Sequence, residues 1–327
     1  MEPRQPRDLE GLLKFCMEAT QSEDAPNDPN QTLENMNPER RQWLEQALSS
    51  MSVDVIKELT EAMKILQSPA VQDPNADQEE ISKIEYAFDC IGDWVGQIDM
   101  ANNFHKIGGF NVLKKCLKSP HDTIRCETAN AIAELSQNNP YCQEKLVEDE
   151  FLPILMEILS SDKTCQVKAL YAISCITREC SLAQDKFFND LNGLSLIINT
   201  TLVSDANERL RTKGCFYLSA ICDENDQAKK TLIDMGLPRQ ILTLMQIEDH
   251  SQEHEHMARA LWTVLKNNEQ VKNELVNSSE LNLREFLTTR MEVLKDHPEF
   301  QEESDYLNQV AKECFGNGLN NMNDVDR

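Results

Sequence analysis

The sequence has few glycines, few aromatic residues and few positive charges. Its ten glycines include neither of the two clustered patterns, G-x-x-x-x-G-K and G-x-G-x-x-G, with which a loop cradles phosphate groups. A G-x-S-x-G nucleophile elbow is also missing, and no cysteine and histidine stand out as a pair. The sequence therefore contains no recognisable motif for nucleophilic catalysis. The sequence therefore predicts a protein that is not an enzyme and that binds no cofactor.

The charge balance and the apolar runs exclude further classes of protein. Lys and Arg number 32 against 56 Asp and Glu, and this net charge of -24 repels a phosphate backbone, so nucleic acid is not an expected partner. Because the N-terminus contains Glu2, Asp8 and Glu10 and no run of about 18 apolar residues follows anywhere, neither a signal peptide nor a membrane span is expected. The eleven cysteines include no C-x-x-C pair, which predicts free thiols and a cytoplasmic location.

A unit of roughly forty residues recurs between residues 102 and 268. Its first signature is a small or aromatic residue, an apolar residue, two free positions and an apolar residue, and it begins at Ala131, Ala172, Tyr217 and Ala260. These starts lie 41, 45 and 43 residues apart, and a second signature, beginning at Cys142, Ala183, Ala228 and Val271, moves by the same three offsets. A further copy begins upstream at Ala87. A helical period of this length is typical of armadillo and HEAT arrays.

Apolar residues within one unit are spaced by three and four positions, which places them on one face of a helix. The second unit predicts three helices, over about residues 141–147, 151–160 and 163–178. Three helices in a unit favour the armadillo type, and each unit must stack on its neighbours to cover its apolar stripe. The predicted fold class is all-α, an armadillo-like right-handed helical solenoid with N- and C-terminal capping helices.

The domain boundaries follow from where the repeat pattern begins and ends. We expect a flexible arm over 1–36, N-terminal capping helices and a loop over 37–77, armadillo-like repeats over 78–269, a C-terminal repeat or capping helices over 270–315, and a flexible tail over 316–327. In the arm, Leu9, Leu12, Leu13 and Phe15 would line one side of a short helix. This island either docks on its own solenoid or is a linear motif for a groove of a partner. The protein is expected to be a monomer.

Three histidines raise the question of a metal site. His250, His254 and His256 stand beside Glu253 and Glu255, and these side chains are of the types that bind zinc. A helix would place His250 and His254 on one face and turn His256 away. Since the segment also leads into a predicted helix over 257–265, an exposed helix start is favoured and no metal is predicted.

The repeats allow the binding face to be predicted, because armadillo arrays bind along a concave surface lined by the third helix of each unit. Positions four before, one before and seven after the start of the first signature lie on one side of that helix. The three columns are Lys83, Glu127, Lys168, Lys213 and His256; Tyr86, Asn130, Tyr171, Phe216 and Arg259; and Trp94, Asn138, Glu179, Glu224 and Asn267. Aromatic residues and arginine are enriched in binding hot spots. The predicted partner-binding residues are Lys168, Tyr171, Arg178, Glu179, Lys213, Phe216, Glu224, Arg259, Asn138 and Asn267.

Two functions fit such a face. The first is a receptor for basic peptides, as in the nuclear import adaptors, whose ladders present Trp and Asn four residues apart. Here the corresponding pairs are Asn130 and Glu134, Tyr171 and Cys175, Phe216 and Ala220, and Arg259 and Thr263, so the defining contacts of that class are missing. The second is a regulator that clamps a folded domain.

Several stretches together carry a resemblance that favours the second function. They are Leu9-x-Gly11-Leu12-Leu13, Glu39 to Leu44, Ser136-Gln137-Asn138 with Gln143, Val167 to Cys175, His250 to His256, and Met322 to Arg327. In these the chain resembles, nearly end to end, the armadillo-type nucleotide exchange factors of the 70-kilodalton heat-shock chaperone, the heat-shock-protein-70-binding and Fes-type family. It departs from some vertebrate members by lacking a long Gly and Ser run in the arm.

The resemblance implies a co-chaperone whose concave face embraces one lobe of the chaperone's ATPase domain and opens the cleft so that ADP leaves. It also implies that the arm, with Leu9, Leu12, Leu13 and Phe15, enters the chaperone's peptide-binding groove and assists client release. The alternative is an armadillo peptide-binding adaptor or scaffold without exchange activity.

Overall fold

A computed structural model describes residues 54–247 and 251–316 of the chain. The chain divides into two units, Met1–Asp54 and Val55–Arg327, and all the described residues except Asp54 belong to the second. The predicted arm with its apolar island, the helix predicted after Asn37, His250 and the predicted tail after Gly316 all lie outside the described residues.

The described residues form helices and no strands. The helices are α1 (Val55–Leu66), α2 (Gln78–Val95), α3 (Ile98–Lys106), α4 (Gly109–Cys116), α5 (Asp122–Ser136), α6 (Pro140–Glu148), α7 (Phe151–Ser161), α8 (Gln166–Thr177), α9 (Ser181–Asp185), α10 (Gly193–Thr201), α11 (Glu208–Glu224), α12 (Asp226–Asp234), α13 (Leu237–Ile247), α14 (His254–Leu265), α15 (Glu269–Asn277), α16 (Leu283–Leu294) and α17 (Gln301–Phe315). Short 3-10 turns at Pro69–Val71 and Pro298–Phe300 and a π-helical turn at Lys186–Asp190 complete the set in the described ranges.

Every third helix packs against the third helix of the next unit. The pairs are α2 with α5, α5 with α8, α8 with α11, α11 with α14, and α14 with α17. We call the solvent-exposed surface of the third helices α2, α5, α8, α11 and α14 the ladder face. The arrangement confirms the predicted armadillo-like solenoid of three-helix units.

The two sequence signatures build the core that the units share. The second residue of the first signature, Ile132, Ile173, Leu218 or Leu261, has no exposed surface in any of the four units. In the second signature, Leu146, Phe187, Leu232 and Leu275 are equally buried. Each such side chain contributes about 1.5–3 kcal/mol by leaving water. Because these residues touch neighbouring units, the stability of the array is collective.

Helix α2 shows how the sequence sets the ends of an element. The Asp77 carboxylate accepts a hydrogen bond from the Glu80 backbone N–H at 2.9 Å, and the Glu80 side chain accepts one from the Asp77 N–H at 3.2 Å. This capping box fixes the first turn, and Ile84 and Ile91 bury the inner side. The sequence predicts a long helix over about residues 78–95, and the structure confirms these bounds.

The entry to α14 is buried, and the prediction of an exposed helix start there is wrong. The Glu253 carboxylate forms an ion pair with Arg211, and the two side chains are only 6% and 4% exposed. The Arg211 guanidinium also donates to the Val203 carbonyl at 2.9 Å. The fully buried His254 accepts from the Ser251 N–H at 2.9 Å. The sequence pattern concealed this because Arg211 belongs to the preceding unit, 42 residues away.

Two cysteines are joined, so the prediction of free thiols is wrong for them. A disulfide links Cys126 in the first turns of α5 to Cys165, the residue before α8. The other cysteines of the described part are unpaired. None of the helices in the ranges 54–247 and 251–316 is both long and apolar enough to cross a membrane. In the same ranges no group of three or more His, Cys, Asp or Glu side chains is placed to hold a metal ion.

Candidate partner-binding face

Phe216 is the most exposed aromatic residue in the middle of the ladder face. Its ring, on α11, is 38% exposed. Two guanidinium groups approach this ring from neighbouring units: the Cζ atom of Arg259 lies 5.4 Å and that of Arg178 lies 5.8 Å from the ring centroid. Cations at this distance are attracted by the negative face of an aromatic ring. An exposed apolar ring is therefore bordered by two charges, as in many hot spots.

A second cation and aromatic pair lies beside the first. The Lys213 ammonium nitrogen is 4.8 Å from the centroid of the Tyr171 ring, so the pair connects α11 to α8. The Tyr171 hydroxyl donates to the Gln137 side chain at 3.4 Å. These residues, together with Arg178 and Phe216, line a pocket of about 380 Å³. Tyr171, Arg178, Lys213 and Phe216 were each predicted as part of the face, and the structure brings them together in one place.

Arg178 is held in position by Glu224. The Glu224 carboxylate accepts hydrogen bonds from Arg178 Nε at 3.2 Å, from the Glu179 backbone N–H at 3.1 Å and from Gln184 Nε2 at 3.2 Å. The Gln143 side-chain amide donates to the carbonyl oxygen of Arg178 at 2.9 Å. Three of the acceptor positions of Glu224 are thus filled from within the chain, and one of them holds the Arg178 side chain.

Hydrogen bonds between the side chains of Lys168, Asn130 and Glu134 connect α8 to α5. Lys168 Nζ donates to Asn130 Oδ1 at 2.7 Å, and Asn130 Nδ2 donates to Glu134 Oε1 at 2.8 Å. Burial raises the pKa of the Glu134 carboxyl, while the Asn130 amide and the Lys168 charge act in the opposite direction. Lys168 is thus partly neutralised by its own neighbours, whereas Lys213 remains exposed.

Three predicted residues lie just beyond their helices. Asn138, Glu179 and Asn267 have positive φ angles of 54°, 55° and 60°, in the left-handed region. Helices α5, α8 and α14 end two residues earlier, at Ser136, Thr177 and Leu265. Asparagine adopts this conformation more readily than most residues do, and glutamate does so at a cost. Asn138 and Glu179 still line the pocket beside Phe216.

The N-terminal end of the face is acidic. A pocket of about 380 Å³ between α2 and α5 is lined by Asp89, Asp93, Glu127 and Glu134 among others. Tyr86, one turn before this pocket on α2, is 65% exposed. The face therefore changes along its length from a carboxylate-rich end to the cationic and aromatic centre around Phe216.

Gly214 sets how closely α11 approaches α10. A Cβ atom added at this position would lie 2.5 Å from the Cβ of Thr201, closer than two such atoms can come. The glycine is flanked by Lys213 and is followed two residues later by Phe216. Close packing of α11 therefore fixes the position of two residues of the face.

Sequence reasoning missed the supporting contacts of the face. Gln143 and Gln184 belong to α6 and α9, outside the columns that were compared, yet they hold the end of α8 and the Glu224 carboxylate. The available signal was a glutamine at the second position of the second signature in two consecutive units, Gln143 and Gln184, and both are buried in the structure. Buried polar side chains of this kind need partners, and the nearest candidates were the helix ends.

Comparison with protein families finds two matching models. The model described as "SIL1/FES1/HPBP1 C-terminal domain" matches residues 100–231. The model described as "Nucleotide exchange factor Fes1" matches residues 9–104. Together they cover the apolar island of the arm and the repeats up to the middle of α12.

Curated proteins match over nearly the whole chain. Hsp70-binding protein 1 of Macaca fascicularis is 30% identical over 324 residues, covering 96% of this chain and 85% of that protein. The human Hsp70-binding protein 1 is 30% identical over 323 residues, covering 95% of this chain and 86% of that protein. The Hsp70 nucleotide exchange factor fes1 of Schizosaccharomyces pombe is 29% identical over 217 residues, with 63% and 70% covered.

Solved structures agree on the fold. A designed armadillo repeat protein superimposes with a TM-score of 0.60 at 20% identity, covering 78% of this chain and 99% of that chain. A second designed armadillo repeat protein, solved with the peptide (KR)4, gives a TM-score of 0.60 at 21% identity over 77% and 98% of the two chains. At these identities the likeness concerns the backbone arrangement alone.

Proposed function

The chain belongs to the SIL1/FES1/HPBP1 family of nucleotide exchange factors, and from this membership we propose that it is a co-chaperone that binds Hsp70 and promotes the release of ADP. The observation that carries the proposal is the match to Hsp70-binding protein 1, which extends over 96% of this chain and 85% of the relative. A match of this length includes the helices of the ladder face as well as the core. The proposed role needs no chemistry from the chain itself.

The ladder face is the surface that we assign to Hsp70, through the chaperone's ATPase domain. Its centre offers an exposed ring, Phe216, with cations of Arg178, Lys213 and Arg259 around it. Such a centre suits a folded surface that presents apolar side chains beside carboxylates. Asn138 and Glu179, at the rim of the pocket, and Asn267, at the end of α14, extend the proposed contact along the face.

Exchange follows from a difference in binding energy. In our account the ATPase domain fluctuates between a closed form that retains ADP and an open form that releases it. The chain must bind the open form more tightly, because a protein with equal affinity for both forms shifts nothing. The repeats supply a continuous template, since the third helix of each inner unit packs against the third helices on either side.

The N-terminal arm is proposed to act on the client. Leu9, Leu12, Leu13 and Phe15 give residues 1–36 an apolar segment that can occupy a peptide groove. The arm would enter the peptide-binding domain of the chaperone and assist client release. The rival hypothesis, that the island docks on its own solenoid, is distinguished by the deletion experiment below.

The proposal extends to the oligomeric state, the compartment and the excluded partners of the chain. We propose that it acts as a monomer in the cytoplasm, where its many unpaired cysteines would stay reduced. Nucleic acid and membranes are not among the proposed partners, and the net charge of -24 supports the first of these exclusions. The chain is not proposed to hydrolyse ATP.

Release of fluorescently labelled ADP from purified Hsp70 tests this function. The full chain should accelerate release in proportion to the complex formed, without producing phosphate on its own. An adaptor or scaffold without exchange activity would bind Hsp70 or a peptide and leave the release rate unchanged. That unchanged rate at saturating protein would overturn the proposal.

A further inference from the structure

The disulfide between Cys126 and Cys165 lies at the junction of two helices of the ladder face. Cys126 is in the first turns of α5, and Cys165 immediately precedes α8, with 5.0 Å between their Cα atoms. The same junction contains the ion pair of Arg125 with Asp162, at 2.6 Å, on the neighbouring residues. The bond therefore joins two consecutive units at the N-terminal ends of their third helices.

The reduced form of this pair is also accommodated by the structure. Cys165 Sγ lies 3.2 Å from the carbonyl oxygen of Asp122, so a Cys165 thiol has an acceptor in place. The Arg125 side chain donates to Asp162 and to the Ser119 carbonyl, and these contacts do not involve sulfur. The hydrogen bonds of Arg125 therefore do not depend on the disulfide. Both redox states are thus compatible with the folded chain.

Six of the eight unpaired thiols in the described residues have a raised pKa. Burial raises the pKa of the unpaired thiols of Cys116, Cys142, Cys215 and Cys222 to about 12, and those of Cys175 and Cys314 to about 11. Because the thiolate is the reactive species, these cysteines exchange poorly near neutral pH. Cys126, in contrast, is half-buried and can be reached by a small thiol, whereas Cys165 is fully buried.

We propose that Cys126 and Cys165 form a reversible thiol–disulfide site, and that closing the bond tightens the binding of Hsp70 by fixing α5 against α8. The second half of this statement rests on the function proposed above. One turn beyond Cys165, Lys168 contacts Asn130, which lies one turn beyond Cys126, so the bond is next to this hydrogen bond of the face. Holding side chains in their bound positions before association reduces the entropy that binding costs.

A disulfide of the glutathione class can serve as the oxidant that closes the bond between Cys126 and Cys165. The Cys126 thiolate attacks one sulfur of the oxidised glutathione, and one glutathione leaves as its thiolate. The Cys165 thiolate then attacks the Cys126 sulfur of the mixed disulfide and releases the second glutathione. Two protein thiols are oxidised, one glutathione disulfide is reduced to two thiols, and the two protons pass through solvent to the glutathione thiolates.

A redox titration of the full chain tests the site. The protein is equilibrated with glutathione buffers of increasing oxidised fraction, quenched by alkylation, and the bond between residues 126 and 165 is quantified by peptide mass spectrometry. We expect both forms to be populated within the series. A bond that stays fully closed or fully open in every buffer would overturn the proposal.

The coupling is tested by the affinity for Hsp70 in the two states. We expect the oxidised chain to bind about fivefold more tightly than the reduced chain, a size typical of fixing a few side chains. Cys126→Ser should bind like the reduced chain in every buffer, while Cys90→Ser, which removes a half-buried unpaired thiol on α2, should keep the redox dependence. Equal affinities of the two wild-type states would overturn the coupling.

These experiments distinguish a failure of the redox proposal from a failure of the proposed function. If neither redox state binds Hsp70 while the titration still shows both forms, the proposed function fails and the redox site stands. Hydrogen exchange of α5 and α8 gives a readout without Hsp70: the oxidised chain should protect the first turns of both helices more strongly than the reduced chain does. Identical protection would show that the bond does not fix the two helices.

Discussion

The Glu224 carboxylate on α11 binds the Arg178 side chain of the preceding unit, with 3.2 Å between Oε1 and Nε. The same carboxylate also holds the Glu179 backbone N–H and the Gln184 amide. Arg178 is thereby placed within 5.8 Å of the Phe216 ring. The central patch of the face, formed by Tyr171, Arg178, Lys213, Phe216 and Arg259, is thus assembled from three consecutive units.

Replacing Glu224 should weaken Hsp70 binding indirectly. In Glu224→Gln the charge that orients Arg178 is lost, so we expect a roughly threefold to tenfold weaker affinity, measured by calorimetry. Stability should fall by no more than about 1 kcal/mol, because the pair is partly exposed. Glu280→Gln removes the partner of Arg239 in another exposed pair, away from the patch, and serves as the control. An unchanged affinity of Glu224→Gln would show that the orientation of Arg178 does not matter.

Phe216→Ala should have the larger effect. If the ring is a hot spot, its removal costs about 2 kcal/mol, which corresponds to an affinity about thirtyfold lower. Leu182→Ala is a suitable control, since Leu182 is a 48% exposed apolar residue on α9. Circular dichroism should be native for both variants. If Phe216→Ala binds within twofold of the wild type, the centre of the contact has been wrongly assigned.

Two glycines should respond in opposite ways to alanine. Gly214→Ala forces a Cβ atom against Thr201, and such overpacking costs about 1–3 kcal/mol of the free energy of unfolding. Gly92→Ala places its Cβ 3.4 Å from the Glu134 side chain, an ordinary contact, and removes a flexible residue from the helix α2. It should therefore stabilise the chain by about 0.5–1 kcal/mol. Thermal melts of both variants measure the change in stability. A change of the same sign in the two variants would contradict the packing argument.

Deleting residues 1–36 should separate the two proposed activities. Exchange of ADP should remain nearly intact, because the ladder face lies wholly in the repeats, while client release should be impaired. Replacing Leu9, Leu12, Leu13 and Phe15 by Ser should reproduce the deletion. The melting temperature should stay within about a degree, since substitutions away from packed sites rarely affect stability. A markedly lower melting temperature would mean that the island packs on its own solenoid.

Much of the fold could be predicted because the repeat supplies its own internal comparison. The equal offsets of two signatures placed Ile132, Ile173, Leu218 and Leu261 at one position of the unit, and all four are fully buried. The sequence predicts a helix over about residues 78–95, after a loop that contains Pro69 and Pro74, and α2 has the same bounds. Patterns of this kind are local or periodic, and they can be read without knowledge of the tertiary contacts.

The features that were missed depend on contacts between units. The columns of the predicted face continue past the helix ends, whereas Asn138, Glu179 and Asn267 adopt left-handed conformations there. The buried pairing of Arg211 with Glu253 joins residues 42 positions apart, and neither residue has a local signal. The disulfide joins cysteines 39 positions apart, close to the period of 41 between those two units. That near coincidence was the available clue, since equivalent positions of stacked units are neighbours in space.

The most direct test of the account is the affinity of the chain for the Hsp70 ATPase domain with and without saturating ADP. If binding opens the domain, the factor by which the chain weakens ADP binding must equal the factor by which ADP weakens binding of the chain. We therefore predict a clearly higher affinity for the nucleotide-free domain, and a loss of this preference in Phe216→Ala. Equal affinity of the wild-type chain for the two forms would contradict the account, because such a protein could not promote ADP release.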